Sequence, residues 1–358
     1  MHMADALLNP AVAGTMYALT GATLIYSGAT LKKDDQEPAK LPTMAVASAL
    51  VFAGQMINYT IPGTGSSGHI CGGMLLAALL GSKAGFLCMS VILSIQCFFF
   101  ADGGVLALGA NIWNMAFYGC FVGYFLLWRP IMRGKLFSKM GMKGRGRSKI
   151  WLASILGCVI TLQLGAFSVV LETSISGITE LPFPVFVGLM QPIHLAIGLI
   201  EGVVTAAILT FLFEARPDML RESKYLTSDD IQVKKGKISF GGTIIVLAIT
   251  AAVIGGGFSL LASTNPDGLE WAVGNIVAPD GEEEAEIALG DRDPGVYEAA
   301  EAVQEQTSFL PDYAFKDDDS AAGTTVSGLV GAAIVAGVIA VVVLLVRLFR
   351  KKKRPATE

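Results

Sequence analysis

The sequence predicts an all-α polytopic membrane protein, with about seven helices in one bundle and two further transmembrane helices. Its mean hydropathy is +0.59, with 53% hydrophobic and only 16% charged residues, which lies outside the range of soluble proteins. The apolar runs 150–171 and 326–346 are each long enough to cross a hydrocarbon core of about 30 Å. The distribution of charge along the chain then predicts which loops lie on which side.

Basic and acidic residues are segregated in the sequence. Segment 128–149 carries eight Lys or Arg residues and no acid, and the tail 347–354 is also basic, so both are expected to face the cytoplasm. Segment 263–324 carries sixteen acids and two basic residues and is placed outside. We therefore expect a multi-pass inner or plasma membrane protein, with an extracytoplasmic N-terminus and a cytoplasmic C-terminus.

The hydropathy predicts nine spans, and the third of them is short. They lie at roughly 11–31, 42–59, 70–82, 84–101, 106–128, 150–171, 192–213, 240–262 and 325–347. The composition becomes charged and polar after the seventh span. This predicts three regions: a membrane domain at 1–225, a cytoplasmic connector at 226–239, and a two-span module at 240–358. The acidic runs 280–286 and 317–319 predict that much of segment 263–324 is mobile.

Histidine is scarce, and its placement suggests a metal site. The three histidines are His2, His69 and His194. The α-amine of the first residue, the amide of the second and the His2 imidazole can wrap a divalent metal ion as a tridentate nitrogen chelate. A second imidazole from His69 would complete four nitrogens in a plane, an arrangement that suits Ni(II) or Cu(II) better than Zn(II).

His69 ends a glycine-rich loop, 61–69, and its alternative role is to cap the following helix. Glycine lets the backbone approach closely, and irregular backbone at membrane depth is tolerated where it lines a cavity. Asp102 has an equally plain alternative as a helix N-cap, and His194 is assigned a structural or supporting role rather than direct ligation. The predicted supporting or pocket residues are Gln55, Asn58, Ser67, Asp102, Asn111, Asn114 and His194.

Other features of the chain are weakly specific or exclude activities. Gly14, Ala18 and Ala22 recur every four residues on the first span, a pattern that predicts either internal packing or docking of a membrane partner. The five cysteines lie in apolar segments without CxxC pairing and are expected to be buried thiols. The chain lacks a GxxxxGK[ST] loop, a nucleophile–His–acid arrangement and HExxH, so it is expected not to be an enzyme.

Several motifs resemble one family. The start 1–6 (MHMADA), the loop 63–73 with His69, and FADGG at 100–104 are similar to motifs of the CbiM/NikM substrate-binding components of energy-coupling-factor (ECF) transporters. Segments 55–58, 108–111 and 114–115 extend the resemblance, which covers roughly 1–225. PDGLE at 266–270 resembles the signature of the small two-span CbiN/NikN-like partner, so the chain resembles a fusion. Ala4-Asp5-Ala6 departs from the Pro-(Asp/Glu)-Gly that relatives often carry.

The resemblance implies a specific function. Met1, His2 and His69 would surround one transported Ni²⁺ or Co²⁺ ion, with the N-terminus threaded in from outside. A separate ECF-type transmembrane scaffold and cytoplasmic ABC ATPases would supply the energy, and the remaining contacts would be with lipid and not with nucleic acid. Gly14, Ala18 and Ala22 would then be candidates for docking the scaffold.

Two other classes of function remain open at this point. A stand-alone ion-coupled carrier would need carboxylates in the membrane, for which Glu201 and Glu172 are the candidates. A membrane metal sensor would keep the metal site but would need no ATPases.

Overall fold

The computed structural model describes residues 1–31, 40–134, 146–179, 181–222, 238–277, 294–316 and 320–352, and most of them are helical. The helices are α1 (Pro10–Thr30), α2 (Lys40–Gln55), α3 (Gly73–Leu80), α4 (Ser82–Phe100), α5 (Leu108–Arg133), α6 (Gly146–Ser176), α7 (Phe183–Ala215), α8 (Phe240–Gly256), α9 (Gly268–Val277), α10 (Pro294–Thr307) and α11 (Ala321–Lys352). An antiparallel hairpin, β1 (Tyr59–Ile61) and β2 (Ser66–Gly68), lies between α2 and α3. The predicted helical membrane class is confirmed.

Five of the described helices are long and apolar enough to cross a membrane: α4, α5, α6, α7 and most of α11. Helices α1, α2 and α8 lie on three more of the predicted spans. Helix α3 has only 8 residues and therefore rises about 12 Å. All of them are buried, so the short third span is a helix enclosed by protein. The count of seven plus two spans stays a prediction.

Helices α6 and α7 pack closely against each other. A Cβ atom added at Gly198 of α7 would lie 2.9 Å from the Val159 Cα of α6, and one at Gly202 would lie 2.7 Å from the Ile155 Cα. The two glycines are four residues apart, the spacing at which small residues let helices approach in a membrane.

Helix α5 contains a long π-helical stretch, Trp113–Trp128. Its wider turn places residues four apart nearly above one another, as shown by the stacked rings of Trp113 and Phe117, 3.9 Å between centroids. The same helix buries Asn111 and Asn114 inside the bundle, each 2% exposed. Helix α5 thereby delivers two amides to the interior near the N-terminus.

Helix α7 begins earlier than the sequence predicted. It starts at Phe183 after Pro182 and continues through Pro192, whereas the seventh span was expected from residue 192. Proline is tolerated inside a membrane helix when neighbouring helices satisfy the freed backbone groups. His194 therefore lies about three turns inside the helix rather than at its outer end.

The C-terminal region packs against the first seven helices rather than apart from them. Helices α8 and α11 pack on α2, while α9 and α10 lie beside the N-terminus and the loop after α4. Much of segment 263–324 was expected to be mobile; within it, α9 and α10 are helices that bury apolar residues such as Leu269 and Ala300. The acidic runs 280–286 and 317–319 and the connector up to residue 237 lie outside the described residues.

Candidate metal site

The N-terminal segment is threaded into the bundle and held there by main-chain hydrogen bonds. The Met3 amide donates to Asn111 Oδ1 (2.7 Å), and Asn111 Nδ2 donates back to the Met3 carbonyl (3.1 Å). The Gly104 amide also donates to the Met3 carbonyl, at 2.9 Å. Met1 and Met3 are 5% and 0% exposed, so the first residues form part of the protein interior. One asparagine thus aligns the start of the chain with the bundle.

The glycine-rich loop presents His69 in a defined tautomer. Gly63 and Gly65 have φ angles of 77° and 76°, which the tight hairpin turn requires and which glycine adopts without strain. His69 Nδ1 lies 3.0 Å from the Ile70 carbonyl, to which it donates, leaving the lone pair on Nε2. Burial, together with the nearby α-ammonium, lowers the pKa of His69 to about 4. His69 is therefore neutral at physiological pH, as a metal ligand must be.

The His2 ring stacks on the His69 ring, with 5.2 Å between centroids and 20° between planes. His2 Nδ1 lies 3.0 Å from Asp102 Oδ1, and Tyr313 donates to Asp102 Oδ2 at 2.6 Å. Although burial opposes it, the pairing with His2 keeps the pKa of Asp102 below its ordinary value. Asp102, on the loop after α4, is therefore an ionised carboxylate that orients the His2 imidazole.

The third histidine, His194, also lies beside Met1 and His69. Met1, His69 and His194 line one small gap, together with Asp267. His194 Nδ1 donates to the Met190 carbonyl (2.8 Å), and its Nε2 is buried without a hydrogen-bond partner among the described residues. His194 was predicted to support the metal site rather than to bind the ion, and that role stays a prediction.

The chain that follows His69 is fixed from two sides. Gln55 Nε2 donates to the Cys71 carbonyl at 2.8 Å. The Glu201 carboxylate, on α7, accepts hydrogen bonds from the amides of Cys71 (2.7 Å) and Gly72 (2.9 Å). Glu172 accepts from Asn114 Nδ2 at 2.8 Å. Both carboxylates considered for an ion-coupled carrier are thus engaged in holding the structure around the site.

We expect Glu201→Gln to weaken metal binding about 10- to 100-fold, the usual effect of removing an outer support of a metal ligand. The amide keeps one acceptor oxygen but turns an NH₂ group toward the second backbone N–H, so the loop that carries His69 loses its anchor. Isothermal titration with Ni²⁺ would measure the change. Glu214→Gln is the control, because Glu214 ends the same helix in an exposed pair with Arg147. Equal affinities of the two variants would contradict this role.

A polar cavity of 590 Å³ leads to the two stacked imidazoles. The first seven helices and their loops contribute His2, His69, Gln55, Asn58 and Asp102, and the C-terminal region contributes Asp267, Tyr297, Gln304 and Tyr313. The cavity is therefore built by both parts of the chain. Among the described residues, no three His, Cys, Asp or Glu side chains group closely enough to hold a metal ion. A metal site here would need main-chain nitrogen ligands as well.

The remaining predicted residues have other contacts. Ser67 faces the C-terminal region, where its Oγ donates to the Asn265 carbonyl at 2.8 Å. The small residues Gly14, Ala18 and Ala22 are exposed on α1, so internal packing does not account for them. All five cysteines are free and buried, as predicted. Sequence reasoning missed Tyr313, and it gave Asp267 no part in the site although the PDGLE box singled out that region.

Two family models match separate parts of the chain. Residues 2–219 match the CbiM family, described as the cobalt uptake substrate-specific transmembrane region, and residues 241–348 match the PDGLE domain. The fused NikMN-type nickel transport protein of Archaeoglobus fulgidus is 33% identical over 94% of this chain and 95% of its own length. The cobalt transport protein CbiM of Sorangium cellulosum is 31% identical over 53% of this chain and 80% of its own.

A truncated transition metal transporter of known crystal structure covers 60% of this chain and 99% of its own, with 29% identity and a TM-score of 0.49. The family match spans more than half of the chain, and the Archaeoglobus relative spans nearly all of it. The protein is a multi-pass membrane transport protein rather than an enzyme. It belongs to the CbiM family of cobalt-uptake substrate-specific transmembrane proteins, in a form fused to a PDGLE domain.

Proposed function

We propose that this chain is the high-affinity Ni²⁺- or Co²⁺-binding specificity subunit of an ECF-type ABC uptake transporter. The proposed ligands are the α-amine of Met1, the amide and imidazole of His2, and the imidazole of His69. The observation that carries the proposal is the convergence of the buried N-terminus with two stacked imidazoles, one of which donates through Nδ1 to a backbone carbonyl and so keeps its lone pair on Nε2.

The chelate requires one local rearrangement. An amine and the next amide form a five-membered ring with the metal, and the following imidazole closes a six-membered ring through Nδ1. In this structure His2 Nδ1 is instead bonded to Asp102. Loading therefore exchanges the Asp102 hydrogen bond for a metal bond, while His69, already held by Ile70, needs no change of tautomer.

The proposal extends to topology and partners. Residues 1–225 would form the metal-binding domain and 240–358 the PDGLE module, with the connector 226–239 and the C-terminus in the cytoplasm and the N-terminus outside. The exposed stripe Gly14, Ala18 and Ala22 on α1 suits docking of the transmembrane scaffold, which would couple the subunit to ABC ATPases. A planar nitrogen set favours nickel over cobalt.

The direct test is metal analysis of the purified protein, followed by competition between Ni²⁺ and Co²⁺. We expect about one bound ion per chain. Either Ni²⁺ or Co²⁺ should displace this ion in competition, whereas Zn²⁺ should not. Co-purification of an ATPase and a scaffold separates a transport subunit from a sensor. A protein that carries no transition metal after growth with nickel and cobalt would contradict the proposal.

Metal affinity should fall as the pH falls from 8 to 5.5. Burial lowers the pKa of the Met1 α-amine, but the Asp267 carboxylate more than offsets this and raises it above its ordinary value. A metal ion must displace that proton, so affinity decreases by about tenfold per pH unit for each displaced proton. His69 contributes no slope, since its pKa is about 4. Chelator competition across this range measures the slope, and a flat profile would indicate oxygen ligands instead.

A further inference from the structure

The N-terminal amine has an ion-pair partner in the C-terminal region. The Met1 nitrogen lies 2.5 Å from Asp267 Oδ2, and the two side chains are 4% and 15% exposed. Asp267 is the second residue of the PDGLE box and is 266 residues away in sequence. The same carboxylate faces the small gap lined by Met1, His69 and His194.

Asp267 is held rigidly for this contact. Its Oδ1 accepts from the amides of Leu269 (2.7 Å) and Glu270 (2.9 Å), which caps α9 and leaves Oδ2 for the amine. The residue before it is tied to the His69 loop, because the Ser67 amide donates to the Pro266 carbonyl at 2.8 Å. The Asp267 carboxylate is therefore held by α9 and, through Pro266, by the His69 loop, independently of its contact with the N-terminus.

The opposite charges of the Met1 ammonium group and the Asp267 carboxylate explain the role of their contact. An ammonium group is stable in a buried position only beside a counter-ion, and removing the partner strongly favours its return to water. An amine bound to a metal ion still has two N–H bonds, so it can continue to donate to the same carboxylate. Asp267 can thus hold the amine both before and after the metal arrives, without being a ligand.

We propose that Asp267 is a positioning residue of the metal site, which seats the α-amine of Met1 beside the imidazoles so that a metal ion meets a prearranged ligand set. This inference rests on the proposed function. It makes the PDGLE module part of the site: the first domain supplies the ligands, and the module supplies the group that keeps one of them in place.

The test compares Asp267→Asn with the wild-type full chain in nanodiscs. Without metal, we expect acylation of the α-amine by an N-hydroxysuccinimide ester, followed by peptide mass spectrometry, to become about tenfold faster. Association of Ni²⁺ in stopped flow should become about tenfold slower, the lower end of the usual effect of an outer support. The bound stoichiometry and the d–d absorption of nickel should stay as in the wild type, because Asp267 is not a ligand.

Glu305→Gln removes one charge from an exposed position on α10 of the same module, and its acylation rate should match the wild type. Asp267→Glu keeps the carboxylate and should restore most of the amine protection. Wild-type acylation and nickel association in Asp267→Asn would overturn the inference, as would equal effects of Asp267→Asn and Glu305→Gln. Normal nickel binding by His69→Ala would reject the proposed ligand set. The acylation rate would still report on Asp267 in that case, because it is measured without metal.

Discussion

A single residue added before Met1 is expected to abolish tight metal binding. The extension moves the α-amine by about 3.5 Å along the chain, out of register with His2, and converts the Met1 nitrogen into an amide. The gap beside Met1 has a volume of only 10 Å³, about the space of one water molecule, so the extra residue has no room. We expect a loss of affinity of about a thousandfold or more, equivalent to about 4 kcal/mol.

Isothermal titration with Ni²⁺ measures this loss, and the same residue added after Glu358 is the matched control. His2→Ala and His69→Ala should each lose tight binding while remaining folded. The His69 loop keeps its other anchors, since Gln55 and Glu201 hold Cys71 rather than the imidazole. An N-terminal tag that leaves affinity intact would rule out the α-amine as a ligand.

The helices and the polar residues around the N-terminus could be predicted because local signals specify them. Apolar runs identified the membrane helices, and the glycine loop identified His69 as a residue displayed at a cavity. Asn111 and Asp102 were predicted near the site, and the structure gives each a specific partner, Met3 and His2. Each of these predictions depends on a short stretch of sequence whose backbone geometry is nearly determined by its residues.

The contacts between the two parts of the chain could not be predicted in the same way. Tyr313 reaches Asp102 across 211 residues, and no periodicity or spacing relates the two. The sequence of segment 263–324 is typical of a solvated acidic loop, because it has more charged residues than apolar residues that pack α9 and α10 against the rest of the protein. The start of α7 was misplaced for a different reason: Pro192 reads as a helix start in sequence, yet the bundle tolerates it inside the helix.

Deleting residues 238–358 is expected to lower the uptake rate about tenfold, while the remaining protein still binds about one ion. The proposed ligands all lie in the first domain, so the site keeps Met1, His2 and His69. The deletion removes Asp267, Tyr313 and the acidic segment, whose field raises the local concentration of divalent cations. Uptake of Ni²⁺ by cells that also express the scaffold and ATPases measures the rate, and metal analysis of the truncated protein measures the stoichiometry.

Because the deletion also uncovers the face of α2 on which α8 and α11 pack, variants of the full chain must separate the causes. Asp267→Asn should reproduce most of the slower uptake if seating of the amine is the main contribution of the module. Neutralising Glu282, Glu283, Glu284 and Glu286, which lie outside the described residues, tests the acidic field alone. If uptake at low metal concentration and low salt is unchanged, the role of these four glutamates is only to keep the segment solvated. Loss of all metal binding in the truncated protein would show instead that the module supplies a ligand.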